Sequence, residues 1–167
     1  GWREAMVGNI SLYNDEGERL HSVYFGASPE YGKATFKQRF EREAVRIKAL
    51  YPEAVYLGIA DGAKDNWPLL EKYTEHQLLD FYHATEYLAE AAEAVGSRNT
   101  GKPERIAWIN QWCHVLRYEE EGARRVLIEL ERLGRRHKLS QKIKESVVNA
   151  IRYFTNHVTL MNYAFHE

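Results

Sequence analysis

The apolar run "AVYLGIA" ends at residue 60 and is followed at once by Asp61 and Gly62. A carboxylate in that place has two readings. It opens an Asp-Gly turn, or it is a cation ligand held at the edge of a sheet. Phosphoryl transfer uses Mg²⁺ or Mn²⁺, hard ions that take carboxylate oxygens from several elements. Asp61 would be one such ligand, with Gly62 turning the backbone away beside it. "DFYH" places Asp80 three residues before His83. That spacing serves a metal or orients a loop, although a lone His is commonly a hydrogen-bonded surface residue. "RLGRRHKLSQKIK", residues 132–144, carries Arg132, Arg135, Arg136, Lys138, Lys142 and Lys144 with no acid. It is either a phosphate-contacting segment, which positions nucleic acid without reading its sequence, or a solvated basic turn. Lys64 and Trp67 follow Asp61 closely enough to face the same ligand; Trp67 serves equally as core. Cys113 and His114 are neighbours on a helical pattern and do not face each other, so Cys113 reads as a buried structural thiol.

These residues need elements to hold them. "MVGNISLYNDEGERLHSVYFG" reads as a β-hairpin turning at Asn14–Gly17. Thr35 and Gln38 have capping-box spacing, and Phe36, Phe40, Ala44, Ile47 and Leu50 recur at helical steps until Tyr51-Pro52 stops them. "AVYLGIA" has no clear alternation and is expected to be a strand buried on both faces. The strand–helix–strand order implies a mixed sheet covered by helices. "KDNWPLLEKY" predicts a short helix, Leu78 to Tyr82 the next strand, and "TEYLAEAAEAV" a helix. Asp61 and Asp80 are therefore expected to end neighbouring strands on one edge of the sheet. "GSRNTGKP" has linker composition. Beyond it lie three helical stripes: Trp108, Trp112, Val115 and Leu116; Val126, Leu127, Leu130 and Leu133; and Val147, Ile151, Phe154, Val158 and Met161. Such stripes are core faces.

The bulk properties bound the function. With 167 residues, 44% of them hydrophobic, the chain can bury a core. Mean hydropathy is -0.57, and no apolar run is long enough to span a bilayer. The first residues lack the regions of a signal peptide, and a single cysteine fits a reducing compartment. A soluble, cytoplasmic protein with no membrane partner is expected. The net charge of -1 excludes a generic polyanion binder, so attraction to nucleic acid must come from local patches. The chain opens inside a strand pattern and stops after a helical one without a cap, which reads as a fragment.

Taken in order, "WREAMVGNISLYNDEGERLHSVYFG", "GIADGAKDNW", "LLDFYHATEYL" and "WINQWCHVLRYE" resemble the catalytic region of bacterial insertion-sequence transposases of the DDE type, related to Mutator-like elements. The resemblance covers essentially the whole chain. It implies an α+β fold, a partial ribonuclease-H-like mixed sheet with flanking helices over residues 1–95, followed by an all-helical insertion over residues 96–167. It implies metal-dependent cleavage and strand transfer of DNA, with Mg²⁺ or Mn²⁺ as cofactor, DNA as partner and a homo-oligomer for the full-length protein. It maps Asp61 onto the second acid of the triad, as catalytic residue and metal ligand. It maps Asp80 and His83 onto a motif of Cys or Asp, two residues, then His. The first acid falls upstream of Gly1 and the glutamate beyond Glu167, so the isolated chain is expected to be inactive. Arg135, Arg136, Lys138 and Lys64 are the expected DNA contacts. The competing expectation is a transposase-derived domain that binds DNA or protein without catalysis. A nuclease with acids of its own is the third.

Overall fold

The computed structural model describes residues 6–28, 32–96, 101–136 and 139–166. The chain forms two compact units, one of Gly1–Tyr56 with Lys72–Glu75, the other of Leu57–Glu71 with His76–Glu167. The fold is α+β, with two separate two-stranded sheets among the described residues, one antiparallel and one parallel. Among the described residues the expected mixed sheet is divided into these two pairs. Among the described residues no helix is long and apolar enough to cross a membrane.

The first unit is built on a hairpin of β1 (Met6–Tyr13) and β2 (Arg19–Ala27). The expected turn is there because Asn14 organises it. The Asn14 Oδ1 accepts from the backbone N–H groups of Glu16 at 3.1 Å and Glu18 at 2.8 Å. Gly17 supplies the left-handed backbone, φ 77°, that the tight turn needs. Helix α1 (Gly32–Leu50) begins three residues before the expected cap. It buries Phe36, Phe40, Ala44 and Ile47, and its first two phenylalanines pack on Phe25 of β2 at 5.4 and 5.8 Å between ring centroids. Leu50, expected on that face, is the last helical residue and is exposed.

The second unit carries the residues singled out above. Strand β3 (Leu57–Ala60) pairs in parallel with β4 (His76–Leu79), and the four-residue helix α2 (Trp67–Leu70) lies between them in sequence. Two expectations are corrected. β3 is not buried on both faces: Leu57 and Ile59 are 37% and 58% exposed while Gly58 is buried. Its only strand partner among the described residues is β4, so it keeps an inner and an outer face. The strand expected over residues 78–82 lies at 76–79, and Phe81 and Tyr82 belong to α3 (Phe81–Ala91). Asp80 makes the difference, since an Asp at that point caps a helix and ends the extended run.

A 3-10 turn, Ala92–Ala94, closes α3. Helices α4 (Gly101–Tyr118), α5 (Gly122–Gly134) and α6 (Gln141–His157) follow. The three expected stripes form the core of this unit, with Leu116, Leu130, Val147 and Phe154 wholly or almost wholly buried. The last stripe outlives its helix: Val158 and Met161 continue it past His157, through a second 3-10 turn, and Met161 is 2% exposed. Cys113, expected to be buried, is half-buried against the core, and desolvation pushes its thiol pKa up. The corner between α4 and α5 needs a glycine. A Cβ on Gly122 would collide with the carbonyl oxygen of Val115 and stand 3.0 Å from the Cα of Leu116.

Candidate functional site

Register brings the two aspartates together. Ala60 of β3 pairs with Leu79 of β4, and the Asp80 N–H donates to the Ala60 carbonyl at 2.7 Å. Asp61 and Asp80 thus leave adjacent strands at the same carboxyl edge, where strands run about 4.8 Å apart. Each also has a structural duty. Exposed Asp61 accepts, on Oδ1 alone, from the Ala63 N–H at 3.1 Å and the Asn66 Nδ2 at 3.0 Å. Asp80 is the N-cap of α3, its Oδ1 accepting from the Tyr82 N–H at 2.9 Å.

His83 sits in the first turn of α3, with Nδ1 3.1 Å from Glu86 Oε2. Its ring packs edge-on against Tyr87 and Tyr153, with centroids 5.9 and 5.8 Å away. It therefore faces α6. Between α3 and α6 lies a cleft of about 430 Å³, lined among others by His83, Glu86, Arg152, Tyr153 and His157.

Tyr153 and His157 link that cleft to the acid edge. Gly62 adopts φ 85°, and a Cβ there would stand 3.1 Å from Leu79 Cδ1 and 3.3 Å from both His157 Nε2 and Tyr153 Oη. His157 Nδ1 is 2.8 Å from the Tyr153 carbonyl. A carbonyl only accepts, so the Nδ1 of His157 carries a proton there. Among the described residues the Tyr153 hydroxyl is buried without a hydrogen-bond partner, as are the Tyr163 hydroxyl and Trp67 Nε1. Leaving such a group unsatisfied costs about 1–3 kcal/mol. Burial raises the pKa of Tyr153 well above its ordinary value, and Tyr87, Asp61, Asp80 and Glu86 add to the rise. Burial does the same for Tyr163, helped by Tyr153 and Asp80. Both phenols therefore stay protonated as donors.

Neither α6 residue was legible as part of a site. Tyr153 and His157 lie on a helix whose pattern announces a core face, and only the tertiary fold sets them against Gly62.

The remaining sequence candidates are dispersed. Lys64 is exposed in the turn that follows Asp61. Trp67 packs partly buried against the core. Arg135 is exposed, 3.9 Å from Glu131. Arg136 is engaged, its guanidinium donating to the Ala94 carbonyl at 2.7 Å. Lys138 lies outside the described residues. Among the described residues no three His, Cys, Asp or Glu side chains converge as a metal-binding group.

No protein-family model, curated protein or solved structure matches the chain.

Proposed function

We propose that this chain is part of the catalytic region of a DDE transposase related to the Mutator-like elements, and that its sheet is a portion of a ribonuclease-H-like core followed by a helical insertion. The observation that carries the reading is the parallel register that sets Asp61 and Asp80 side by side at one sheet edge. A rigid edge of this kind is a suitable mount for acids converging on a cation. The edge of β3 that pairs with no strand among the described residues also suits the reading, because a two-stranded parallel sheet is a poor structure alone. A strand upstream of Gly1 carrying the first acid would pair there, and the glutamate would come from beyond Glu167.

A hard divalent cation would take Asp61 as one part of a larger ligand set; the described residues hold no group of three His, Cys, Asp or Glu side chains that would complete it. Asp61 would hold Mg²⁺ or Mn²⁺ through the oxygen not engaged by Ala63 and Asn66, and Asp80 and His83 would support the site or the substrate strand. Bound there, the cation supplies Lewis acidity to the attacking and leaving oxygens of the phosphodiester. The reaction is hydrolysis at the element end, followed by attack of the freed 3′-hydroxyl on target DNA. Lys64, Arg135 and the neighbouring basic residues would contact phosphates, and the complete protein would act as a homo-oligomer on DNA.

Asp61→Asn in the complete protein tests the reading. Thermal stability should stay near that of the wild type, because the side chain is exposed and makes only turn hydrogen bonds. Mg²⁺-dependent strand cleavage should be abolished. Retained cleavage would remove Asp61 from the mechanism.

The turn bonds on Asp61 and the capping bond on Asp80 favour a second reading. Both aspartates already have structural reasons to be where they are, as they would in a transposase-derived domain that binds DNA or protein without catalysis. The two readings separate on the acids that flank this segment in the complete protein.

A further inference from the structure

Each wall of the cleft between α3 and α6 is one stripe of a helix, with residues at steps of three and four. Tyr87 and Glu90 come from α3, and Asn149, Arg152, Tyr153 and Asn156 from α6. The two tyrosines stack, with ring centroids 3.9 Å apart and planes at 13°. Glu86, also on the α3 wall, is engaged by His83 at 3.1 Å. The side chains of Glu90, Asn149, Arg152 and Asn156 make no hydrogen bond or ion pair among the described residues. An unengaged carboxylate and an unengaged guanidinium thus line opposite walls of one cleft and do not close on each other. We propose that this cleft binds a guanine base, with Arg152 donating to the O6 and N7 acceptors and Glu90 accepting from the N1–H and N2–H donors. The proposal is independent of the cation reading of Asp61.

Size and polarity narrow the ligand first. About 430 Å³ lies within the range of small-molecule sites, about 300–1,000 Å³. Polar walls disfavour a hydrocarbon, whose burial would leave them without partners. Two carboxylates on the α3 wall disfavour a multiply charged anion. A flat polar ligand with both donors and acceptors remains, and the partly buried ring of Tyr87 offers it aromatic carbon to lie on. The pairing pattern then selects the base. Guanine carries two acceptors on one edge and two donors on the next, so a guanidinium and an ionised carboxylate each meet it in a bidentate pair. Adenine presents one acceptor and one donor on its edge, the pattern that an amide reads. Hydrogen bonds from ionised groups are about twice as strong as neutral ones. Arg152 and Glu90 therefore set the base, and Asn149 and Asn156 are left to meet the sugar hydroxyls.

The test uses the chain of residues 1–167 with free nucleosides as probes. Titration calorimetry measures affinity, the amide signals of Glu90 and Arg152 locate the ligand, and thermal melts follow the fold. Guanosine should shift both signals and bind about tenfold more tightly than adenosine or cytidine. Arg152→Ala and Glu90→Gln should each weaken guanosine about tenfold and leave the melting temperature unchanged, because both side chains are exposed. Analogues read each contact by itself, since 7-deazaguanosine lacks N7 and inosine lacks the N2 amine. Both should bind the wild type more weakly than guanosine does. Arg152→Ala should no longer separate 7-deazaguanosine from guanosine, and Glu90→Gln should no longer separate inosine from guanosine; a purely structural role would leave those differences in place. Single strands of thymidine with and without one central guanine identify the source of the base. Competition with guanosine by the guanine-bearing strand alone assigns the site to nucleic acid, and competition by neither strand assigns it to a free nucleoside; both outcomes support the site. Equal binding of the three nucleosides, unshifted Glu90 and Arg152 signals, or variants that keep the affinity and discrimination of the wild type would each overturn the proposal. The Asp61 reading would still be judged by the cleavage assay in the complete protein.

Discussion

At the scale of single residues, the basic segment shows how one composition covers different duties. Arg135 and Arg136 are adjacent and both exposed, yet Arg136 donates to the Ala94 carbonyl, whereas among the described residues Arg135 reaches only Glu131, 3.9 Å away. Arg136→Ala should therefore destabilise the fold by about 1 kcal/mol, the worth of a typical hydrogen bond. Arg135→Ala should leave stability unchanged. If the segment contacts DNA, Arg135→Ala in the complete protein should flatten the dependence of log K on log salt by about one unit. Melting temperature and salt-titrated binding of both variants separate the two roles, and an unchanged slope for Arg135→Ala would leave a solvated turn. Counting arginines and lysines along the sequence does not distinguish them, because the carbonyl that engages Arg136 is contributed by the far end of another helix.

At the scale of elements, the helices of the second unit were the legible part. Their stripes have a helical period, and a periodic face reports its own burial: Val126, Leu130 and Leu133, or Val147 and Phe154, lie in the core as their spacing requires. The short strands were harder to read. "YLGIA" is apolar at every position, so its alternation of exposed Leu57 and Ile59 with buried Gly58 carries no signature in residue type. The end of β4 was misplaced because Phe81 and Tyr82 extend an apolar run that suits strand and helix alike. What was legible of the candidate site is what those strands dictate, the common edge of Asp61 and Asp80. Its α6 side was not.

The core itself contains one element-level feature that hydrophobic pattern does not reveal. Glu129 of α5 is 7% exposed, accepting from Trp108 Nε1 of α4 at 2.9 Å and from the Arg132 guanidinium at 2.6 and 2.8 Å. Burial alone would raise its pKa, but the bonds from Arg132 and Trp108 outweigh it and hold the carboxyl below its ordinary value of 4.5. A carboxyl depressed in the folded state stabilises above its unfolded pKa, and the gain is lost as pH falls through the folded value. Glu129→Gln should therefore melt below the wild type at pH 7, and the gap should narrow as pH is lowered below about 4.5, the ordinary glutamate range. A gap independent of pH would mean that shape and neutral hydrogen bonds, not charge, hold the α4–α5 pair.

At the scale of the whole molecule, the chain's two compact units hold different kinds of information. The hairpin and α1 follow from local turn chemistry and one apolar face. The second unit contains every residue proposed here for chemistry, so its integrity is the condition for any activity. The glycine at the α4–α5 corner turns that condition into something history can record. No side chain fits at position 122 without colliding with Val115, and nothing about this depends on catalysis. Among descendants of a common ancestor, Gly122 is under selection for shape alone, and Asp61 only for as long as the reaction is used. A lineage that keeps the corner glycine while position 61 drifts has been retained for its surface after its chemistry was retired. A lineage in which both drift has been released from selection altogether.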